Sequence, residues 1–100
     1  MRYKIKKTIQ YENWLISESA KSRVQIAKRL SNIEQHGHFG IIKDIGDGIW
    51  ELKWKNGRRI YYVYVPDSNI LILIGGSKNG QNYDIAQAKN ILKKYSQNET

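Results

Sequence analysis

The stretch Trp50-Glu51-Leu52-Lys53-Trp54-Lys55-Asn56-Gly57-Arg58-Arg59-Ile60-Tyr61-Tyr62 decides the fold. Trp50, Leu52 and Trp54 alternate with Glu51, Lys53 and Lys55, the period that sends side chains to opposite faces of a strand. Asn56-Gly57 is a strong hairpin signal, so strands over residues 49–55 and 59–65 pair antiparallel. Turn length sets which face Arg59 occupies. A two-residue turn pairs Lys55 with Arg58 and places Arg59 beside the tryptophans. A three-residue loop, Asn56 to Arg58, pairs Lys55 with Arg59 and puts Arg59 and Tyr61 on the face of Glu51 and Lys53. Asn-Gly statistics favour the first. The second is preferred, because a cation among core tryptophans needs a buried partner.

Downstream, Pro66-Asp67-Ser68-Asn69 makes a turn, and residues 70–74 are apolar throughout, as in a central strand covered on both faces. Gly75-Gly76-Ser77-Lys78 follows, and from Asn82 onward Ile85, Ala88, Ile91, Leu92 and Tyr95 trace a last helix. Gly46 and Gly48 punctuate the approach to the strand at 49. At the other end, Tyr3, Ile5 and Ile9 alternate with Arg2, Lys4 and Lys6 as in a first strand. Thr8 is placed to cap a helix running to Ser17 that carries Tyr11, Trp14, Leu15 and Glu18. Ser19 caps a second helix with Ala20, Val24, Ala27, Leu30 and Ile33 on one face, and Gly37 stops it. The expected class is α+β: an antiparallel sheet of three to five strands packed against an N-terminal helical hairpin and a C-terminal helix. Residues 1–100 are expected to form one domain, with its core over about 3–95.

Seventeen Lys and Arg face nine Asp and Glu, for a formal net charge of +8. That field suits nucleic acid, an anionic membrane face or an acidic protein. No basic run exceeds a pair, which points to a folded surface and not a disordered arm. The absence of cysteine excludes disulfides, thiolate catalysis and zinc–sulfur sites, and fits a reducing compartment. The amino terminus is too polar for a signal peptide and residues 70–74 are too short to cross a bilayer, so a soluble cytoplasmic protein is expected.

Lys53, Arg59 and Lys78 form the main chemical constellation, since arginine offers a planar fork to phosphate oxygens and lysine a mobile charge. Gly75-Gly76 allows close backbone approach, and Lys78 falls between a strand end and a helix start, a favourable anion position. The string is not a P-loop, because the spaced glycines before Lys-Ser/Thr are missing. Solvated surface charge is the competing reading. Glu51 lies between cations, as a base or as a neutralising partner of Lys53. Lys55 and Arg58 lie beside these residues as further candidates to contact a nucleic-acid backbone. Tyr61, Tyr62, Tyr64 and Tyr83 are candidates to stack bases, although aromatic residues on strands mostly pack. Of these, Tyr61 and Tyr83 are expected to face the ligand. His36-Gly37-His38 reads as a helix end, without recognised metal spacing, and no metal or cofactor is expected.

At these residues the chain resembles the RelE/ParE superfamily of addiction-module toxins, nearest its HigB-like, phage-derived branch. Tyr11-x-x-Trp14-Leu15 stands where that branch has Phe-x-x-Trp-Leu. Glu51-Leu52-Lys53 matches an acidic-Leu-basic strand, and Arg59-Ile60-Tyr61-Tyr62 matches Arg-Val-Tyr-Phe. Leu73 and Gly75-Gly76-Ser77-Lys78-x-x-Gln81-x-x-Asp84-Ile85 match the closing run. Two features depart: Asn56-Gly57-Arg58 shortens the usual Gly-Pro-Gly-Tyr turn, and Ser77 replaces an aspartate. The resemblance implies a RelE-like microbial ribonuclease fold and metal-independent cleavage of messenger RNA on the ribosome, with attack by the RNA 2′-hydroxyl. It implies that Arg59 binds the scissile phosphate, Lys53 assists at the 2′-hydroxyl, and Lys78 holds a phosphate or helps the leaving oxygen, with Glu51 secondary. It implies too that the backbone at Lys55 and Arg58 is RNA. It further implies a cognate antitoxin, usually a helix-turn-helix protein. A ParE-like toxin that inhibits DNA gyrase, or a degenerate partner-binding protein, is the alternative. Alanine at position 59 is expected to relieve toxicity without unfolding the chain.

Overall fold

A computed structural model describes residues 2–98. The chain runs β1 (Lys4–Lys7), α1 (Ile9–Ile16), α2 (Ala20–His36), β2 (Ile42–Gly46), β3 (Ile49–Lys53), β4 (Arg58–Val65), β5 (Asn69–Ser77), a 3-10 turn (Lys78–Gly80) and α3 (Gln81–Asn98). The five strands order β1-β5-β4-β3-β2, with β1 parallel to β5 and every other pair antiparallel. The expected α+β layering is present; the parallel β1 refines the antiparallel sheet.

Both N-terminal caps fall where the sequence puts them. Thr8 Oγ1 accepts from the Tyr11 amide at 3.1 Å and donates to the Leu73 carbonyl at 2.6 Å, so the cap also ties α1 to β5. Ser19 accepts from the Ser22 amide, and Gly37, at φ 69°, ends α2 in the left-handed conformation. Ile9 is the first residue of α1 and not the end of the strand, because the Thr8 cap turns the chain there. The apolar face of α2 also differs from expectation: Ile26, Leu30 and Ile33 are buried, whereas Val24 is exposed. At 100° per residue these three fall within about 60° of one another, while Ala20, Val24 and Ala27 centre about 120° away.

The sheet buries both faces. Against α1 and α2 lie Leu52, Ile60, Tyr62, Ile70 and Ile72, with Trp50 and Trp54 packed beside them. Against α3 lie Ile49, Tyr61, Val63, Leu71 and Leu73, meeting Ala88 and Ile91. Residues 70–73 thus alternate between two cores, which is why that run is apolar at every position. β1 and β2 form the edges, and β1 carries exposed lysines there, which discourages pairing with another chain. No helix among the described residues is long and apolar enough to cross a membrane.

Candidate active site

The β3–β4 ladder pairs Lys53 with Arg59, Leu52 with Ile60 and Glu51 with Tyr61. The Trp54 amide donates to the Arg58 carbonyl and the Gly57 amide to the Trp54 carbonyl, so the loop holds three residues, Lys55 to Gly57. Gly57 takes φ 98°, and Asn56 Oδ1 accepts from the Arg58 amide at 3.0 Å. Arg59 therefore shares a face with Glu51 and Lys53, as preferred from the sequence. Its cross-strand partner is Lys53, however, and not Lys55, because the loop starts one residue earlier.

On that face, a polar group lies beneath the N-terminus of α3. Glu51 is 0% exposed, and its Oε2 accepts from Gln81 Nε2 at 2.8 Å. Its Oε1 sits 3.8 Å from Arg59 Nε, an ion pair in which neither atom makes a hydrogen bond. Arg59 Nη1 donates to the carbonyls of Trp54 at 3.1 Å and Arg58 at 2.9 Å. Nη2 makes no hydrogen bond among the described residues, which leaves that nitrogen open to an anion. Tyr61 is fully buried, with its hydroxyl against Glu51 in a contact short of hydrogen-bond geometry. Burial, then the neighbouring carboxylate, raises its pKa far above the ordinary phenol value.

Two expectations change here. Tyr61 is covered by α3 and is a core ring, unable to stack a base, because the register that brings Arg59 to this face also turns Tyr61 under the helix. Glu51, buried and bonded to Gln81, has no solvent-facing oxygen with which to act as a base on a substrate. Its place beside Arg59 sets it to orient the guanidinium.

Lys53 is half-buried, while Lys55 and Lys78 are exposed around the same hairpin end. The Lys78 amide donates to the Gly57 carbonyl at 2.8 Å, and the Lys78 side-chain stem lies beside Gly57, which fixes the 3-10 turn against the β3–β4 loop. Arg59 pairs with Gly76 across β4–β5, so Lys53, Arg59 and Lys78 come from three segments that meet at one end of the sheet. Tyr83, 69% exposed, stands in the first turn of α3 and presents a free ring near this end.

Arg58 points to the opposite face. Its guanidinium bonds Ser22 Oγ at 2.9 Å and Gln25 Oε1 at 3.2 Å, lies 4.0 Å from Glu18, and stacks 5.3 Å from the Trp54 ring. These partners commit it to joining β4 to α2, and it is 7% exposed. It nevertheless borders a cleft of 480 Å³ between the N-terminal helices and the end of β5.

Gly75 and Gly76 are needed for different reasons on the two faces. A Cβ on Gly75 would stand 2.5 Å from three atoms of the Trp14 ring, and one on Gly76 would overlap the Asp84 carboxylate. Close packing against α1 and α3 thus explains the pair. Arg29 is a residue the sequence did not single out. It donates to the carbonyls of Phe39, Ile41 and Lys53 and stacks 4.3 Å from the Trp54 ring, bracing the strand that carries Lys53. Burial pulls its pKa below the ordinary arginine value. Gln81 was legible only as part of the run that resembles the toxin branch; its bond to Glu51 joins residues thirty positions apart.

The model of the family described as "Phage derived protein Gp49-like" matches residues 13–96. A Haemophilus influenzae protein of uncharacterised function is 37% identical over 93 residues, covering 89% of this chain and 92% of that protein. Among solved structures, a double mutant of the Escherichia coli toxin RelE in the free state superposes with a TM-score of 0.71. It is 16% identical, and the match covers 91% of this chain and 99% of that one. The archaeal RelE–RelB complex from Pyrococcus horikoshii gives a TM-score of 0.60 at 17% identity, over 78% of this chain and 97% of that one. The fold is RelE-like.

Proposed function

The chain belongs to the phage-derived Gp49-like family, and we propose that it is the toxin of a type II toxin–antitoxin module, an endoribonuclease that cuts messenger RNA on the ribosome. The observation that carries this reading is the pairing of Lys53 with Arg59, with Lys78 tied to the turn between them. Three cations from three segments gather at one end of the sheet, and Arg59 Nη1 is committed to two backbone carbonyls while its Nη2 has no hydrogen-bond partner among the described residues.

In the proposed reaction the 2′-oxygen forms a bond to the adjacent phosphorus, the bond from phosphorus to the 5′-oxygen breaks, and a cyclic phosphate remains. The 2′-proton passes to solvent water, and the departing 5′-oxygen takes a proton from solvent. Arg59 holds the non-bridging oxygens as negative charge grows on them, an electrostatic contribution of the oxyanion-hole kind. Lys53 stabilises charge at the attacking oxygen, and Lys78 does so at the leaving one. Lys55 tracks the neighbouring backbone, and Tyr83 stacks a base. Glu51, held by Gln81, fixes the Arg59 guanidinium. The RelE–RelB complex, a relative by fold, supports an antitoxin partner for this chain as well. A helix-turn-helix antitoxin would fit the phage-derived branch.

The test is controlled expression without antitoxin, followed by mapping of transcript 5′ ends and a gyrase supercoiling assay. New ends inside coding regions with unchanged supercoiling support the reading. Growth arrest with inhibited gyrase and no new ends replaces it with a ParE-like target.

A further inference from the structure

The 480 Å³ cleft beside Arg58 belongs to neither core and is not used by the phosphate chemistry above. Its charged lining is Glu18, Asp84 and Arg58, two carboxylates against one guanidinium, in a chain whose formal net charge is +8. The guanidinium is already engaged with Ser22, Gln25 and Glu18. An anionic phosphate is therefore better matched to the Lys53 side than to this cleft. The indole of Trp14 supplies a flat apolar wall, seated on the backbone of Gly75. Ser77, which pairs with Arg58, forms the rim that leads into Lys78.

We propose that this cleft holds a nucleobase of the RNA whose backbone lies on Lys53, Arg59 and Lys78, and that it prefers guanine. This assignment rests on the nuclease reading for the identity of the polymer. An aromatic wall beside polar groups takes an unstacked base, and RNA is read in this way through base edges. A carboxylate only accepts hydrogen bonds, and an oxygen turned away from its ion-pair partner can accept from the adjacent N1–H and N2–H donors of guanine. Uracil offers one donor flanked by acceptors and meets repulsion there. Glu18 is the reader, since its side chain is 27% exposed while its other side faces Arg58 Nε at 4.0 Å. Asp84 is pressed against Gly76 and closes the cleft floor.

The experiment titrates the folded protein with guanosine 5′-monophosphate and, separately, uridine 5′-monophosphate, followed by amide and indole NMR shifts. Guanosine monophosphate should shift Trp14, Ser22 and Ser77 and bind at least ten-fold more tightly than uridine monophosphate. Glu18→Gln should erase the difference, with Glu18→Ala as a second variant and a thermal melt confirming that both fold. Equal affinity for the two nucleotides, an unchanged preference in both variants, or shifts confined to Lys53, Lys55 and Lys78 would overturn the assignment. Transcript-end mapping of the wild type separates the two readings. Absence of cleavage with guanosine selectivity intact removes the nuclease and leaves the cleft. Cleavage without selectivity does the reverse.

Discussion

Glu51 and Arg59 lie diagonally across the β3–β4 ladder, with Glu51 Oε1 3.8 Å from Arg59 Nε, and neither atom has a hydrogen bond. Their neighbours fix both side chains from the other side, Gln81 for the carboxylate and two backbone carbonyls for the guanidinium. An ion pair this deep costs a good deal to desolvate, so its value lies in orientation more than in stability.

Removing one partner strands the other charge. Arg59→Ala is predicted to abolish growth arrest, and also to destabilise the fold by about 3–5 kcal/mol, because Glu51 is left buried and uncompensated. The sequence alone suggested relief of toxicity without unfolding; the burial of both partners predicts a loss of stability as well. Arg59→Ala combined with Glu51→Gln should recover much of the lost stability and none of the toxicity. Chemical denaturation of the four proteins in the cycle measures this, and additive effects would contradict the coupling.

Gln81→Ala leaves Glu51 Oε2 without its donor. The predicted cost is about 1–3 kcal/mol, the range for an unsatisfied buried group. RNA cleavage should fall as Arg59 loses its fixed neighbour. Retained activity at full stability would show that Gln81 does not position the site.

Gly76→Ala forces Asp84 and the first turn of α3 to move. A loss of about 1–3 kcal/mol is expected from overpacking. Gly76→Ala in an Asp84→Ala background should be much milder, because the clashing carboxylate is gone. Unfolding midpoints report the difference.

Thr8→Ala removes both the helix cap and the bond to the Leu73 carbonyl. About 1–2 kcal/mol should be lost, whereas Thr8→Ser should keep most of it. An unaltered midpoint for the alanine variant would contradict the dual role.

Alkaline stability should reflect the buried tyrosines. Burial pushes the Tyr11 pKa up to about 12 from 10.0, and raises those of Tyr61 and Tyr62 further. Above pH 10 the unfolded chain releases these protons while the folded chain keeps them, so the unfolded state binds fewer and stability falls as pH rises. Tyr11→Phe should reduce the slope of unfolding free energy against pH between 10 and 12. Denaturant titrations at several pH values, compared with tyrosinate absorbance, test the sign; a slope unaffected by Tyr11→Phe would remove that residue from the account.

Much of the architecture is a local property of the chain. Thr8, Ser19 and Gly37 mark helix boundaries because a side-chain oxygen or a missing Cβ acts within three or four residues. The apolar run at residues 70–73 identifies the central strand for the same reason: adjacent side chains must go to opposite faces. Strand alternation groups Glu51 with Lys53, and the cost of burying a cation favours Arg59 on their side. The α2 face was less legible, since Val24 and Ile26 are similar in hydropathy and only contact with the sheet distinguishes them.

Tertiary structure decided what those grouped residues can do. Whether a side chain on the cationic face meets solvent or α3 depends on where the helix crosses, and no local pattern encodes that. The crossing buries Tyr61 and Glu51, leaves Tyr83 free, and brings Gln81 to a carboxylate thirty positions away. The sequence by itself determined the helix caps, the β3–β4 hairpin and the central strand, and favoured one side of the sheet for the charge, because those follow from backbone period and local hydrogen bonding; the edge strand β2 carried no such local signal. Only the packing of α3 and the 3-10 turn decided which of those charges is buried beneath the helix and which stays exposed.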